Sequence, residues 1–477
     1  MSSRRGGAVS IEATQRFAEW TDPKRHLWLM GTIIPLLPFA AWGLVEASGQ
    51  GLFWWFGPIF VFGIVPVLDL VVGRDGENPP EEVLRRLEED RYYRWVTFAF
   101  LPVQYAAFVW ACWALVSMDL SDSERVGLAV TLGCVGGIAI NTAHELGHKR
   151  QQHERWFARI ALAPTFYGHF FVEHNRGHHV RVATPEDPAS ARLGETIYEF
   201  WPRTVIGSVR NSWRLERVRL TRRGGSVWTW RNDILSAWAM SLALWGALVL
   251  ALGPGLLPYL VLQAVVGVLL LETVNYLEHY GLRRQRVDGG RYERVDPSHS
   301  WNSNNIATNV LLYHLQRHSD HHANPTRRYQ GLRDDPHSPV LPTGYAGMVV
   351  LSLLPAAWRA VMDPLVLAHV QGDTGRANLH PRTRKRYPAP ASSPGSPSGA
   401  SPATRTDDRA RIPARPVDPA GTWRCPGCGY RYSESTGHPR EGIAAGTPWA
   451  LVPDEWSCPD CGVRDKVDFD PVPSGLT

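Results

Sequence analysis

Cysteine is scarce, six in 477 residues, and their spacing forms no disulfide framework. Two of them, Cys112 and Cys134, lie in apolar runs, where a thiol behaves as a small buried hydrophobe. No cleavage-site pattern follows the first apolar run near residue 27, so that run reads as a retained span rather than a signal peptide. The chain also lacks an overall apolar excess. Its mean hydropathy is −0.21 with 44% hydrophobic residues, an average typical of soluble proteins. That average hides long apolar runs and twenty Trp, a residue enriched at membrane interfaces.

Six segments, approximately 27–46, 51–73, 95–118, 126–144, 234–253 and 255–278, are long and apolar enough for transmembrane helices, which need about 20 residues. Helices are required because lipid offers the backbone no hydrogen-bond partners. The segments pair into three hairpins with short connections at 47–50, 119–125 and 254. These tips carry one Arg, Arg125, and no Lys, whereas the N-terminus and the loops 74–94 and 145–233 are rich in Arg. The positive-inside rule makes those loops cytoplasmic and predicts a multi-pass protein of a bacterial inner membrane. The same asymmetry explains the net charge of +5 without nucleic acid. The patch 344–362 suits an interfacial position. Residues 376–420 read as a flexible linker rich in Pro, Ser and Arg, with eight prolines between 388 and 419. The expected domains are therefore a membrane domain, 1–375, this linker, and a small C-terminal domain, 421–472.

The chemistry is concentrated in histidines. HELGHK at 144–149 has the HExxH pattern of a zinc protease. It does not stand alone. His174, His178 and His179 sit in EHNRGHH; His318, His321 and His322 sit in QRHSDHH; His279 sits in NYLEHYG. Spacings of i, i+3 and i, i+4 put imidazoles on one helix face. His144 and His279 end the fourth and sixth spans on the cytoplasmic side, so nine imidazoles can meet at one membrane face. Nine exceed the four that zinc usually takes and suit two metals with four or five ligands each. Imidazole serves iron, zinc and copper, so spacing alone does not name the metal.

Polar groups lead to these rings along the spans. Asn141, His144 and His148 follow i, i+3, i+7, as do Glu272, Asn275 and His279, and Asp69 lies near the cytoplasmic end of the second span. Intramembrane carboxylates are costly and usually functional, and a ligating His normally gives its other N–H to a carboxylate or carbonyl. Asp69, Asn141, Glu173, Glu272, Asn275 and Glu278 are the candidates for orienting the ligands. His153, His169, His299 and His314 fit the pattern less well and read as structural.

Near the C-terminus, Cys425, Cys428, Cys458 and Cys461 form two C-x-x-C pairs separated by 29 residues. Four thiolates make an all-sulfur tetrahedral site for zinc or iron. From Gly421 onward the net charge is −3, leaving +8 for the rest, a complementarity that favours docking of the tail on the basic face.

HELGHK, EHNRGHH, LQRHSDHH and NYLEHYG together resemble the membrane alkane 1-monooxygenases, the alkane hydroxylase branch of the histidine-rich non-haem diiron superfamily that includes fatty acid desaturases. NPPEE (78–82), RYYR (91–94), SHSWNSN (298–304) and NPTRRYQ (324–330) resemble that family too, and the similarity covers roughly 20–375. Asn324 stands where many members would have His. CPGCGYRY and GTPWALVPDEWSCPDCG resemble rubredoxin, with Tyr430, Trp449 and Trp456 as core aromatics. The resemblance implies an all-α polytopic fold of six transmembrane helices with a cytoplasmic diiron face, plus a small β-rich rubredoxin domain. It implies that the nine histidines hold two non-haem irons and that the four cysteines hold one. It further implies hydroxylation of the terminal carbon of n-alkanes drawn from the bilayer, with O2 as co-substrate. Electrons would come from NADH or NADPH through a rubredoxin reductase and the chain's own tail. Acyl desaturation and hydroxylation of alkyl-aromatics are the neighbouring alternatives. Trp54, Trp55 and Phe56 are candidates for closing a substrate tunnel.

Overall fold

The structure is a computed structural model that describes residues 20–149, 151–222, 225–287, 292–383 and 385–387, and, near the C-terminus, 421–425, 429–439, 443–453, 456, 458–459, 464, 466 and 469–472. Its frame is six apolar helices long enough to cross a membrane: Leu27–Ser48, Gly51–Val72, Arg91–Ser117, Asp122–Gly147, Asp233–Leu252 and Pro254–His279. They are called the first to sixth spans below. Several extend past the apolar runs because polar residues cap them. Asp90 accepts from Tyr92 N at 2.8 Å and starts the third span at Arg91. Ser121 and Glu124 form a capping box that starts the fourth at Asp122.

Prolines break the regularity of the first two spans. The first is a 3-10 helix over Leu27–Leu36, with Pro35 inside, and becomes an α-helix at Leu37–Ser48. The second contains a π turn, Phe60–Ile64, just before Pro66 near the start of its last α segment. A proline lacks the N–H that would close the preceding turn.

The fourth span is buried along most of its length and packs along the sixth. Small residues permit this approach. A Cβ on Gly133 would meet Val266 Cβ at 2.6 Å, and one on Gly137 would meet Leu270 Cδ2 at 2.9 Å and Gly267 O at 3.0 Å. The G-x-x-x-G spacing thus lets two backbones touch where larger side chains would hold them apart.

Between and after the spans lie α1 (Gln152–Leu162), α2 (Ile197–Arg222), α3 (Ile306–Leu311), α4 (His318–Ala323), α5 (Tyr345–Ser352) and α6 (Pro355–His369). The patch expected at the interface folds into α5 and α6. Met348, Trp358 and Met362 are fully buried there, against Tyr276 and Tyr280 from the end of the sixth span. Those large apolar residues pack into a protein core, not only onto a membrane surface. The first part of the expected linker is also tied down. Asn378 N donates to Gly281 O at 2.9 Å, and Tyr387 Oη donates to Asp363. Residues 388–420, which hold the prolines, lie outside the described residues.

The tail carries a three-stranded antiparallel sheet of order β2-β1-β3, with β1 at Thr422–Arg424, β2 at Arg431–Ser433 and β3 at Asp470–Pro471. In register, Trp423 faces Tyr432 and Pro471. Tyr432, Trp449, Trp456 and Phe469 fill a core that also buries Cys425 and Cys458. A core this small usually needs a metal to hold it.

Candidate metal centre

Four pieces of chain bring imidazoles to one place. The last turn of the fourth span presents His144, and its C-cap residue is His148. The second box does not form an ordinary helix: Glu173–His178 is a π turn that runs into a short α segment beginning at His179. Such turns are frequent at functional sites. His279 is the last residue of the sixth span, and α4 carries His318, His321 and His322.

The nine rings sort into two groups. In the first, the candidate ligand atoms of His144, His148, His174, His179 and His321 lie within 4.8 Å of one another; in the second, those of His178, His279, His318 and His322 do so. Within the first, Nε2 atoms run His144–His321 at 2.8 Å, His321–His179 at 3.0 Å and His179–His174 at 3.1 Å. Within the second they run His178–His322 at 3.2 Å, His322–His318 at 2.9 Å and His318–His279 at 3.2 Å.

This donor set fits two metal ions. Burial, reinforced by the charge of neighbouring rings, pushes His148, His174, His179, His318, His321 and His322 well below the usual histidine range. Neutral imidazole is the ligating form. Both ring nitrogens of His148 are buried with no hydrogen-bond partner, and the Nε2 atoms of the other rings face one another. Converging lone pairs without donors are unfavourable in a dry interior unless a cation takes them.

Outer contacts fix some of the rings. Asp187 Oδ2 lies 2.9 Å from His178 Nδ1. Burial works against that carboxylate, but the His178 charge and hydrogen bond, with the Ser190 hydroxyl, hold it down at about 2. His279 Nδ1 lies 3.3 Å from His299 O. Glu278 Oε2 lies 3.2 Å from His318 Nε2, beside the second group. Asp320 accepts from Asn324, Arg327 and the Arg333 N–H, which anchors α4. The Asn324 amide therefore closes the end of its own helix.

Other expected orienting groups sit elsewhere. Asp69 accepts from Thr308 N at 2.9 Å and from Thr308 Oγ1 at 2.5 Å, and so holds the start of α3. Asn141 donates to Leu312 O. Glu272 accepts from Tyr167 Oη, Thr204 Oγ1 and Asn275 Nδ2, so Glu272 and Asn275 serve each other and neighbouring helices. Glu173 is bound by Asn211 and faces Arg181; burial dominates and pushes it up to about 8. The two contacts that sequence reasoning missed are Asp187 and the His299 carbonyl. Asp187 stands in the turn-like stretch PEDPAS with no helical spacing to a histidine box, and a carbonyl leaves no side-chain signal.

Glu145 answers the protease question. It pairs with Lys149 Nζ at 2.9 Å and accepts from Tyr329 N at 3.3 Å. A carboxylate so engaged does not activate water at a zinc ion. Of the histidines set aside, His314 lies beside Lys24 and Asp75, His153 packs against Phe98 and Phe157, and His169 packs against Tyr167 and Trp238.

A narrow apolar cavity lies where the first, second, fourth and sixth spans meet. It is lined by Ile34, Val61, Ile138, Asn141, Leu270 and Val274, among others. Asn141 and Ile138 stand one and two helical turns before His144. Trp54, Trp55 and Phe56 do not line it. Trp54 is buried against the third and fourth spans, its carbonyl bonded by Thr131 Oγ1, and Trp55 lies against Gly127.

In the tail, Cys425 and Cys458 are buried, with N–H bonds from Cys425 to Tyr430 O and from Cys458 to Arg464 O. Cys428 and Cys461 lie outside the described residues.

Residues 125–352 match the fatty acid desaturase family, and residues 422–469 match the rubredoxin family. The chain is 46% identical over 369 residues to an alkane 1-monooxygenase of Pseudomonas putida, covering 77% of this chain and 92% of that protein. It is 44% identical over 370 residues to alkane 1-monooxygenase 1 of Alcanivorax borkumensis, covering 77% and 91%. At 26% identity over 336 residues, 69% of this chain and 86% of the relative, it is similar to the hydroxylase component of a xylene/toluene monooxygenase of Pseudomonas putida. With its six membrane-length helices, its paired imidazole groups and its rubredoxin domain, the chain belongs to the alkane 1-monooxygenase family.

Proposed function

We propose that this membrane protein hydroxylates the terminal carbon of medium- to long-chain n-alkanes to 1-alkanols. The observation that carries the proposal is the pair of buried imidazole groups, five rings and four, lying one helical turn beyond an apolar cavity. His144, His148, His174, His179 and His321 would hold one iron, and His178, His279, His318 and His322 the other. The chemistry bound iron supplies there is reductive activation of dioxygen, with one atom entering the C–H bond and the other leaving as water. The balance is alkane, O2, two electrons and two protons to alcohol and water.

The chain's own residues do the rest. An alkane has no polar handle, so only shape and burial orient it. Each CH2 taken from water contributes about 0.8 kcal/mol, and lipid-dissolved substrate needs a matching apolar wall instead. Ile34, Val61, Ile138 and Leu270 supply such a wall, and tying the Asn141 amide to Leu312 O removes a donor that would hold water. Asp187 and the His299 carbonyl keep His178 and His279 oriented with their far nitrogens toward the group.

Electrons reach the site one at a time through the chain's own rubredoxin domain, 421–472, whose iron would be held by Cys425, Cys428, Cys458 and Cys461 and reduced by a separate NADH- or NADPH-dependent reductase. The basic loops support a cytoplasmic position for the imidazole groups and the tail at an inner membrane. Purified protein, reduced without air and then given air and dodecane, tests the reading. Iron content and 1-dodecanol should rise together. Iron-loaded protein that yields oxidised xylene or unsaturated acyl product but no 1-alkanol would move the assignment to those substrates.

A further inference from the structure

A cleft of about 480 Å3 opens where three chain segments meet just past the end of the sixth span. Their backbones are knitted together. Gly281 N donates to Ala191 O at 3.0 Å, Asn378 N to Gly281 O at 2.9 Å, Leu193 N to Asn378 O at 2.6 Å and His380 N to Leu193 O at 3.1 Å. The side chains in the wall are less satisfied. Asn378 is 3% exposed, yet its Nδ2 has no hydrogen-bond partner. Arg283 gives Nη1 to Gly375 O at 3.1 Å, but its buried Nε has no partner. The Arg192 guanidinium forms no ion pair among the described residues, and no carboxylate lines the cleft. Burial and the charge of Arg203 disfavour the Arg192 cation and outweigh the opposing charge of Glu195.

An unpaired buried amide donor is unfavourable, so a pocket that keeps one with two guanidinium groups in its wall is built for an acceptor. Guanidinium forks match the oxygens of a phosphate. The position agrees: Arg283 stands four residues beyond His279, the last residue of the sixth span, and Arg382, Lys385 and Arg386 follow nearby in the chain. Basic pockets at that level of a membrane protein receive lipid phosphates. We propose that this cleft binds a phosphate group, with Arg192, Arg283 and Asn378 donating to its oxygens. The same wall contains Pro185 and Arg192, which bracket Asp187 in the chain. An occupant therefore braces the segment that carries the Asp187 carboxylate to His178.

The test follows the melting midpoint of the full-length protein in neutral detergent by tryptophan fluorescence. Inorganic phosphate and a short-chain phosphatidylglycerol are titrated separately, each against sodium chloride of equal ionic strength. The midpoint should rise saturably, and in Arg192→Gln and Asn378→Asp the apparent affinity should fall about tenfold or more, one charge-assisted hydrogen bond being lost in each. A rise with phosphatidylglycerol alone assigns the phosphate to lipid; a rise with both shows that the free anion suffices. No rise with either, or equal rises in wild type and both variants, overturns the proposal. The ligand-free midpoint reports folding, and where either variant is itself unstable, Arg283→Gln at its half-buried position carries the same comparison.

Discussion

Asp187 touches His178 on the side of the ring that faces away from the other imidazoles: Oδ2 lies 2.9 Å from Nδ1, while His178 Nε2 lies 3.2 Å from His322 Nε2. Ser190 Oγ, at 2.6 Å, and the Ala189 N–H, at 3.1 Å, hold the carboxylate in turn. Removing such a partner typically costs about 10–100-fold in metal affinity or activity. Asp187→Ala should therefore lose iron to a chelator more readily by that factor, and Asp187→Asn by less. Iron retained per chain against chelator concentration measures it. Equal retention in both variants and wild type would show that Asp187 does not orient the ring.

Chain-length preference should follow the cavity wall. Ile138→Phe adds bulk two turns before His144, in a position that lines the cavity. Products should shift toward shorter alkanes, read by gas chromatography over a series from octane to hexadecane. Trp55→Ser should leave the preference unchanged, because Trp55 packs on Gly127 away from that wall.

The contact between the fourth and sixth spans predicts a stability effect. Gly137→Val would place carbon against Leu270 and the Gly267 carbonyl. Overpacking of this kind costs about 1–3 kcal/mol. The thermal midpoint should fall, whereas Gly43→Val, where an added Cβ meets nothing within 4 Å, should not lower it comparably.

Asp75 governs an acid-side prediction. Burial opposes its charge, but hydrogen bonds from His314 and Lys24 and the charges of Lys24 and Arg317 overrule burial and hold it well below the usual carboxylate range. A carboxyl whose folded pKa is depressed adds stability above its unfolded value, about 3.9, and that stability is lost as pH falls below it. Wild type should therefore lose midpoint progressively as pH falls from about 5 toward 1, most of it below the unfolded value, and Asp75→Asn should lose less over that interval. At neutral pH the variant should already be destabilised by about 3–5 kcal/mol, because Arg317, fully buried, and Lys24 lose their counter-charge.

Cys425→Ser separates the two kinds of iron site. The tail should lose its visible thiolate absorbance and the chain about one iron, while the imidazole groups keep theirs. Turnover driven by NADH and a reductase should stop. Continued turnover without added rubredoxin would show that electrons bypass the tail.

The six spans and the nine converging histidines were legible because apolar length and helical spacing are local properties. The span ends were less so: capping by Asp90 and Ser121 carries helix past the apolar run. Groups that act through distant chain could not be read. Asp69 lies near the end of the second span, as an orienting carboxylate should, yet its partner is Thr308, and only the fold reveals that. Asp187 shows the opposite case, a turn residue nine positions from His178 brought back by a loop. The Trp-Trp-Phe stretch reads as a gate because it is bulky, but the second-span residues that line the cavity are Val61 and Val65, further along the helix.

That kind of turn has one more consequence at the metal centre. His178 and His179, neighbours across the end of the π turn, belong to different imidazole groups, and so do His321 and His322 on α4. Two peptide units thus form the yoke between both positions. Any rocking of either element displaces the pair together, so ions held by the two groups would be linked through these peptide units, and a shift at one position would disturb the other.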